Sequence, residues 1–416
     1  MENSGEKFDI IVVGAGVMGS ATAYAASKRG LKVLLLEQFD LLHFRGSSHG
    51  ESRTIRASYP ENYYPPMVIE AAKLWEEAEL EAGYNVYFKT SHLDFGPSDN
   101  PSLLHVISSC EINKIDHRIL DAHQVFDEMS GRIKIPDDWI GVATELGGII
   151  KPTKAVSMFQ SLAMKHGAVI RDRIEVKGIE PIDEQEGGGI LISTTCGNQF
   201  RSSKCAITAG AWMKNLVKKV TGKHLPIQPV ETSVFYWRIK QGHESDFTIS
   251  PGKFPTFASY GNPYIYGTPS LEFPGLIKIP IHGGLECNPD ERKWKAAKEV
   301  IIEEIREWIR GRFGDLVDAD GGPVITQSCL YSMTPDEDYV IDFLGGEFGK
   351  NLVVAGGFSG HGFKMSPVIG KIVVEMLLDG EVGGGVDMKY FKIERFDGGL
   401  NGNAKSFADQ VCFSSS

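Results

Sequence analysis

The chain has 416 residues, of which 42% are hydrophobic and 23% charged, and its formal net charge is −11. That length exceeds what one hydrophobic core ordinarily organises, so two domains are expected. The acidic balance argues against nucleic acid or an anionic membrane surface as a partner, yet permits an anionic small substrate wherever cations gather locally.

The first residues, Met1-Glu2-Asn3-Ser4-Gly5-Glu6, are acidic and polar, unlike a signal or transit peptide. Ile10-Ile11-Val12-Val13 reads as a strand. Val17 to Arg29 reads as an Ala-rich helix with Gly30 as its stop, and Val33-Leu34-Leu35-Leu36 as a strand buried on both faces. Within this βαβ unit, Gly14-Ala15-Gly16-Val17-Met18-Gly19 matches G-x-G-x-x-G. Gly14 allows the tight turn, Gly16 lets the backbone approach a pyrophosphate, and Gly19 allows close packing of helix on strand. Glu37 ends the second strand at the distance where an acid meets a ribose hydroxyl, and its charge would repel a 2′-phosphate. A nucleotide cofactor is therefore expected. NADP is disfavoured, and FAD and NAD both fit the motif.

Further along, Met67 to Ala82 is expected to be helical, with Gly83 after it. The stretch from Phe88 to about Ile149 mixes short strands and helices without a repeat. Ile174 to Gly210 reads as a β-meander with a turn at Glu186-Gly187-Gly188-Gly189 and a last strand at Ala206-Ile207-Thr208. The region 223–323 is richer in aromatics and proline, and a long helix is expected from about Pro289 to Arg312. Leu352-Val353-Val354 is a late strand. Ser366-Pro367 is expected to cap a helix that runs to Leu378 and closes at Gly380. No apolar run approaches the roughly 20 residues needed to cross a bilayer. The six cysteines show no metal-ligand spacing, and so few thiols in a long chain suggest a reducing compartment.

Segments of nucleotide-binding type recur at the start, middle and end of the chain. The predicted fold is α/β and α+β. A discontinuous Rossmann-like cofactor domain is expected over 1–88, 146–222 and 324–396, with a mixed-sheet substrate domain inserted as 89–145 and 223–323. The Gly-, Asn- and Ser-rich stretch 397–416 is expected to be a mobile tail.

Four blocks carry a more specific signal: Gly46-Ser47-Ser48-His49-Gly50-Glu51-Ser52-Arg53-Thr54-Ile55-Arg56, Tyr266-Gly267 through Leu276-Ile277-Lys278, Ser328-Cys329-Leu330-Tyr331-Ser332-Met333-Thr334-Pro335-Asp336-Glu337, and Gly357-Phe358-Ser359-Gly360-His361-Gly362-Phe363-Lys364. In this order, and over nearly the whole chain to about Phe396, they resemble the monomeric sarcosine oxidase and peroxisomal sarcosine–pipecolate oxidase family. Its members are flavoenzymes of the D-amino-acid-oxidase type. The resemblance implies FAD held covalently as a thioether through Cys329, a residue type easily activated as a nucleophile near neutral pH. It places Lys278 beside the flavin as the group that activates oxygen, where a fixed cation stabilises negative charge as it develops. It places Arg53 and His49 beside the flavin and His282 and Tyr266 in the substrate pocket. Gly360 lies against the cofactor, and Arg56 with Lys364 clamps the substrate carboxylate. Pro280-Ile281-His282 departs from relatives, which often carry an aromatic before the equivalent histidine.

The implied activity is oxidation of secondary amino acids, sarcosine or pipecolate, with O2 as acceptor and hydrogen peroxide as product. A related flavin dehydrogenase that passes electrons to another acceptor is the alternative. The resemblance further implies a monomer, while the charge leads us to expect no nucleic-acid or membrane partner and the cysteine spacing no metal. Its eukaryotic branch is peroxisomal, but Ser414-Ser415-Ser416 is not the S-K-L address, so a peroxisomal or cytoplasmic location is expected.

Overall fold

A computed structural model describes residues 3–250, 252–292, 294, 299–398 and 402. Most of the 397–416 tail lies outside the described residues. Three sheets organise the rest.

The largest has eight strands. Its path runs Val340–Phe343, Leu352–Gly356, Gln199–Ile207, Asn3–Val13, Val33–Leu36, Val169–Arg171. The pairs from Leu352–Gly356 through Val169–Arg171 are parallel. Alternate residues explain the continuous apolar runs. Ile10, Val12, Val33 and Leu35 pack towards one core, with the helices Val17–Lys28, Pro152–Lys165 and Ser366–Asp379. Ile11, Val13, Leu34 and Leu36 pack towards another, beneath the helix Met213–Thr221 and the hairpin Val176–Ile182/Gly189–Thr194. The expected meander is thus present, and its last strand, Gln199–Ile207, doubles as a central parallel strand beside Asn3–Val13.

A six-stranded sheet is built on the long antiparallel pair Tyr87–Pro97 and Trp139–Ile150. Arg53–Arg56 and His117–Leu120 flank the second of these strands, and Thr256–Ser259 with Ile265–Gly267 extends the first. A four-stranded sheet surrounds Gln228–Arg238, which pairs with Leu276–Lys278, Leu285–Glu286 and Pro323–Met333. Arg53–Arg56 and Pro323–Met333 fall within or across segments expected to belong to the cofactor domain, yet they pair in these two smaller sheets.

Three expected boundaries differ. The helix placed from Met67 begins at Tyr64, because Pro65 and Pro66 sit in its first turn, where no intrahelical N–H is required. It ends as expected, at left-handed Gly83 with φ 80°. Ser366 is not a cap. It is the first residue of its helix, and a 3-10 turn over Phe363–Met365 feeds the chain straight into it. The helix expected from about Pro289 is described over Glu299–Phe313. Pro289 to Arg292 is not helical, and residues 293 and 295–298 are outside the described set. Arg292 is held instead by the Arg45 carbonyl at 2.7 Å and Ser328 Oγ at 2.7 Å, which ties this segment to the strand that carries Cys329. No helix among the described residues is long and apolar enough to cross a membrane.

Candidate active site

The glycine loop follows the carboxyl end of Asn3–Val13, where open α/β sheets place their ligands. Gly14 has φ +100°, and a Cβ there would lie 2.7 Å from the Thr208 carbonyl oxygen. A side chain at Gly19 would overlap the Gly14 carbonyl, so only glycine lets the helix cross the strand this closely. Thr208 Oγ1 donates within 3.0 Å of the Val13 and Gly14 carbonyls and pins the turn. Glu37 is buried, and its two oxygens accept from the Ala15 N–H at 2.8 Å and the Phe39 N–H at 3.0 Å. A carboxylate has lone pairs beyond those two bonds, so it can also accept from a ribose hydroxyl.

From this loop a single cavity of about 460 Å³ runs to the two smaller sheets. Gly14, Gly16, Glu37, Ser48, His49, Arg53, Arg56, Tyr266, Lys278, His282, Cys329, Gly360 and Lys364 all line it. Gly19 lies one turn behind the wall, as its packing role requires.

The middle of the cavity is cationic. Lys278 ends the strand Leu276–Lys278 opposite Tyr236, and its side chain points inwards with 3% exposure. Alternation alone fits a solvated lysine here, but the neighbouring loop covers it. Its Nζ donates to the Ser52 carbonyl at 2.9 Å and sits 5.7 Å from the centre of the Tyr266 ring. Burial, assisted by the Arg53 charge, brings its pKa down to about 7. Arg53 donates to the carbonyls of Ser52, Ser47 and His49 at 2.8, 3.0 and 2.7 Å, so it staples the whole 46–53 loop. Its Nη2 also lies 3.7 Å from Cys329 Sγ. His49 is held neutral, its pKa lowered to about 4 by burial first and by Arg53 second. Cys329, on Pro323–Met333 opposite Thr232, is the one thiol that lines the cavity among the described residues.

At the far end, Arg56 and Lys364 converge on Tyr59. The Arg56 guanidinium lies over the Tyr59 ring, 4.7 Å from its centre, and Lys364 Nζ donates to Tyr59 Oη at 2.7 Å. Lys364 also donates to the His361 carbonyl at 3.1 Å, and its own carbonyl accepts from Trp75 Nε1 at 2.8 Å. Aromatic rings form the wall between. Tyr266 Oη is 3.2 Å from Tyr331 Oη, and the His282 ring packs 5.4 Å from both Tyr264 and Tyr331. A Cβ on Gly360 would lie 2.9 Å from the Tyr331 ring and 3.1 Å from His282. Pro280 does not line the cavity. It is buried behind it, with its carbonyl accepting from the Tyr266 N–H at 3.3 Å.

Sequence reasoning missed Tyr59, Tyr331, His92 and Asp94 as functional candidates. The last two had a signal, since His and Asp two apart in an apolar strand occupy one face.

The comparisons show the family to which the chain belongs. Residues 9–376 match the family of FAD dependent oxidoreductases (DAO). The chain is 59% identical over 406 residues to a probable sarcosine oxidase of Arabidopsis thaliana, covering 97% of this chain and 96% of that one. It is 33% identical to the peroxisomal sarcosine oxidase of Homo sapiens, covering 94% and 96%. In fold it is similar to L-proline dehydrogenase from P. horikoshii, with a TM-score of 0.78, 22% identity, and coverage of 95% and 99%. The residues present fit the cofactor that the family name specifies. Gly14 and Gly16 line the head of the cavity with backbone alone, the Glu37 carboxylate lines it beside them, and the cavity continues to the two smaller sheets. This chain therefore belongs to the FAD-dependent oxidoreductase family, on the strength of its glycine loop, its cavity and its relatives alike.

Proposed function

We propose that this protein is an FAD-dependent oxidase of secondary α-amino acids. Its expected reaction is sarcosine + O2 + H2O to glycine + formaldehyde + H2O2, with L-pipecolate as a second candidate substrate. The observation that supports this best is the continuity of one cavity from the glycine loop to the Arg56–Lys364 pair, with Lys278 between them. When bound, FAD would supply the electron sink for the C–H bond next to nitrogen.

The chain's own residues supply position and field. Arg56 and Lys364 hold the substrate carboxylate and so fix which C–H bond faces inwards. Tyr266, Tyr331, Tyr264 and His282 form a wall that suits a small apolar N-alkyl group and keeps water from it. Lys278, dry and fixed by Ser52, stabilises negative charge developing on oxygen. Arg53 holds the loop above it through the Ser47, His49 and Ser52 carbonyls, and the neutral His49 side chain lines the same cavity. Cys329 is the proposed covalent attachment point, since its sulfur lies in the wall beside a guanidinium. We assign His49, Arg53, Lys278 and His282 to the catalytic end, and Arg56, Lys364 and Tyr266 to substrate binding. Gly14, Gly16, Gly19, Glu37, Cys329 and Gly360 are assigned to the cofactor. The division into a cofactor domain and an inserted substrate domain is part of the same reading, as is action as a monomer, which is supported by the 30% identity to the monomeric sarcosine oxidase of Bacillus sp..

The test is a panel of N-methyl, cyclic and primary amino acids with peroxide as readout. Peroxide from sarcosine or pipecolate, with little from primary amino acids, is expected. Bleaching of the flavin by these substrates without peroxide would instead favour a dehydrogenase.

A further inference from the structure

Asp94 and His92 are buried ionisable residues that the reading above does not use. They lie two apart on Tyr87–Pro97, while Leu93 and Phe95 face the apolar core on the other side. Asp94 has no exposed surface, yet it is fully engaged. It accepts from Ser58 Oγ and from His92 Nε2 at 3.1 Å, and lies 3.7 Å from Arg56 Nη1. His92 Nδ1 in turn meets Thr256 Oγ1 at 2.8 Å. A carboxylate only accepts, so His92 donates from Nε2 to Asp94 and accepts a hydrogen bond from the Thr256 hydroxyl at Nδ1. Arg56 also donates to the Ser58 carbonyl, so Ser58 braces both partners of the pair. His92 reaches the cavity wall, whereas Asp94 lies directly behind it. Two buried carboxylate residues line the wall itself: Glu37, held at the glycine loop, and Glu337, whose backbone carbonyl accepts from His361 Nε2.

A buried carboxylate is costly unless its charge is used. Here it stands against one of two cations that converge on the substrate. We propose that Asp94, oriented by His92 and Ser58, is a positioning and specificity residue that partly balances Arg56, so that the clamp accepts one carboxylate and rejects a second. This rests on Arg56 being part of the carboxylate clamp. Asp94 acts through Arg56 and through its own field. A dicarboxylic amino acid or dianionic ligand would bring a second negative charge into a dry pocket where Asp94 already balances part of Arg56, so that charge finds less cation to pair with and is repelled.

The test uses the holoenzyme and two non-reacting probes, acetate and malonate, titrated by the change in flavin absorbance. In Asp94→Asn, which keeps shape and hydrogen bonding but removes the charge, the ratio of malonate to acetate dissociation constants should fall about tenfold, the equivalent of roughly 1.4 kcal/mol. KM for a monocarboxylic substrate should change more than kcat. Asp94→Ser, with room for a water between Ser58 and Arg56, carries the same expectation if the Asn variant does not fold. An unchanged ratio, or equal weakening of both probes, overturns the proposal, because a purely structural brace would weaken both alike. Arg56→Met separates the two readings. If acetate affinity does not fall in that variant, the clamp itself is wrong, whatever Asp94 does.

Discussion

Lys278 is an amine 3% exposed, with its pKa lowered from 10.5 to about 7. Burial disfavours the charged form, so the unfolded chain binds this proton more tightly than the folded one between those two values. Stability contributed at this site therefore rises as pH increases from about 7 towards 10.5. We expect Lys278→Met to remove that rise, read as the difference in Tm between the two proteins across this window. A parallel pH dependence in both would reject the assigned protonation. In the holoenzyme, the same variant should lower the rate of flavin reoxidation by O2 by about 100-fold or more, with reduction by substrate less affected. Stopped-flow mixing with dissolved O2 checks this, and unchanged oxygen reactivity would remove Lys278 from its role. Cys329 makes a simpler prediction. Acid-denatured protein should stay yellow, whereas Cys329→Ser should release its flavin on denaturation. Flavin retained by the variant would place the attachment elsewhere.

At the scale of elements, the glycine turn is the least replaceable piece. A methyl group at Gly19 would collide with the Gly14 carbonyl and the Thr208 side chain, and neither can move without disturbing the parallel pair Asn3–Val13 and Gln199–Ile207. Gly19→Ala is therefore expected to lose about 1–3 kcal/mol or more of stability, a typical overpacking cost, and to purify with little flavin. Denaturant titration and the absorbance near the flavin maximum measure the two effects separately. Full flavin content at unchanged stability would contradict the packing argument. The 46–53 loop shows a different economy. It has no regular structure before Arg53, and three carbonyl contacts from that one guanidinium organise it. Arg53 is thus both a charge beside the cavity and the brace of the loop that covers Lys278.

At the scale of the whole molecule, the cavity draws its walls from all three sheets: Gly14 from the turn after the first, Arg56 and Tyr266 from the second, Lys278 and Cys329 from the third. A ligand that fills it adds contacts between elements of all three sheets, beside direct ones such as Lys278 to the Ser52 carbonyl. Cofactor binding should then stabilise the entire fold, by about 2.7 kcal/mol when free ligand is at 100 times its dissociation constant. Cys329→Ser, expected to bind FAD reversibly, is the suitable protein for this measurement. Added FAD should raise Tm of a single transition. Two transitions, only one of which moves, would mean that the cofactor engages one sheet alone.

The βαβ unit, the glycine turn, Glu37, the late strand and the helix ending at Gly380 were legible because they depend on local rules. Periodicity, φ preference and capping act over a few residues. The blocks around Arg53, Lys278, Cys329 and Lys364 were legible as motifs, and each of these four residues does reach one cavity. What the chain did not disclose was depth and pairing. Nothing local says that Lys278 is covered by Ser52, or that Tyr59 stands between Arg56 and Lys364. Nor does it say that Asp94 backs the guanidinium from a strand 38 residues away in numbering (94 minus 56). Those contacts join segments far apart in the chain. Burial, charge balance and pKa arise only when such segments close on one another, so tertiary packing alone decided them.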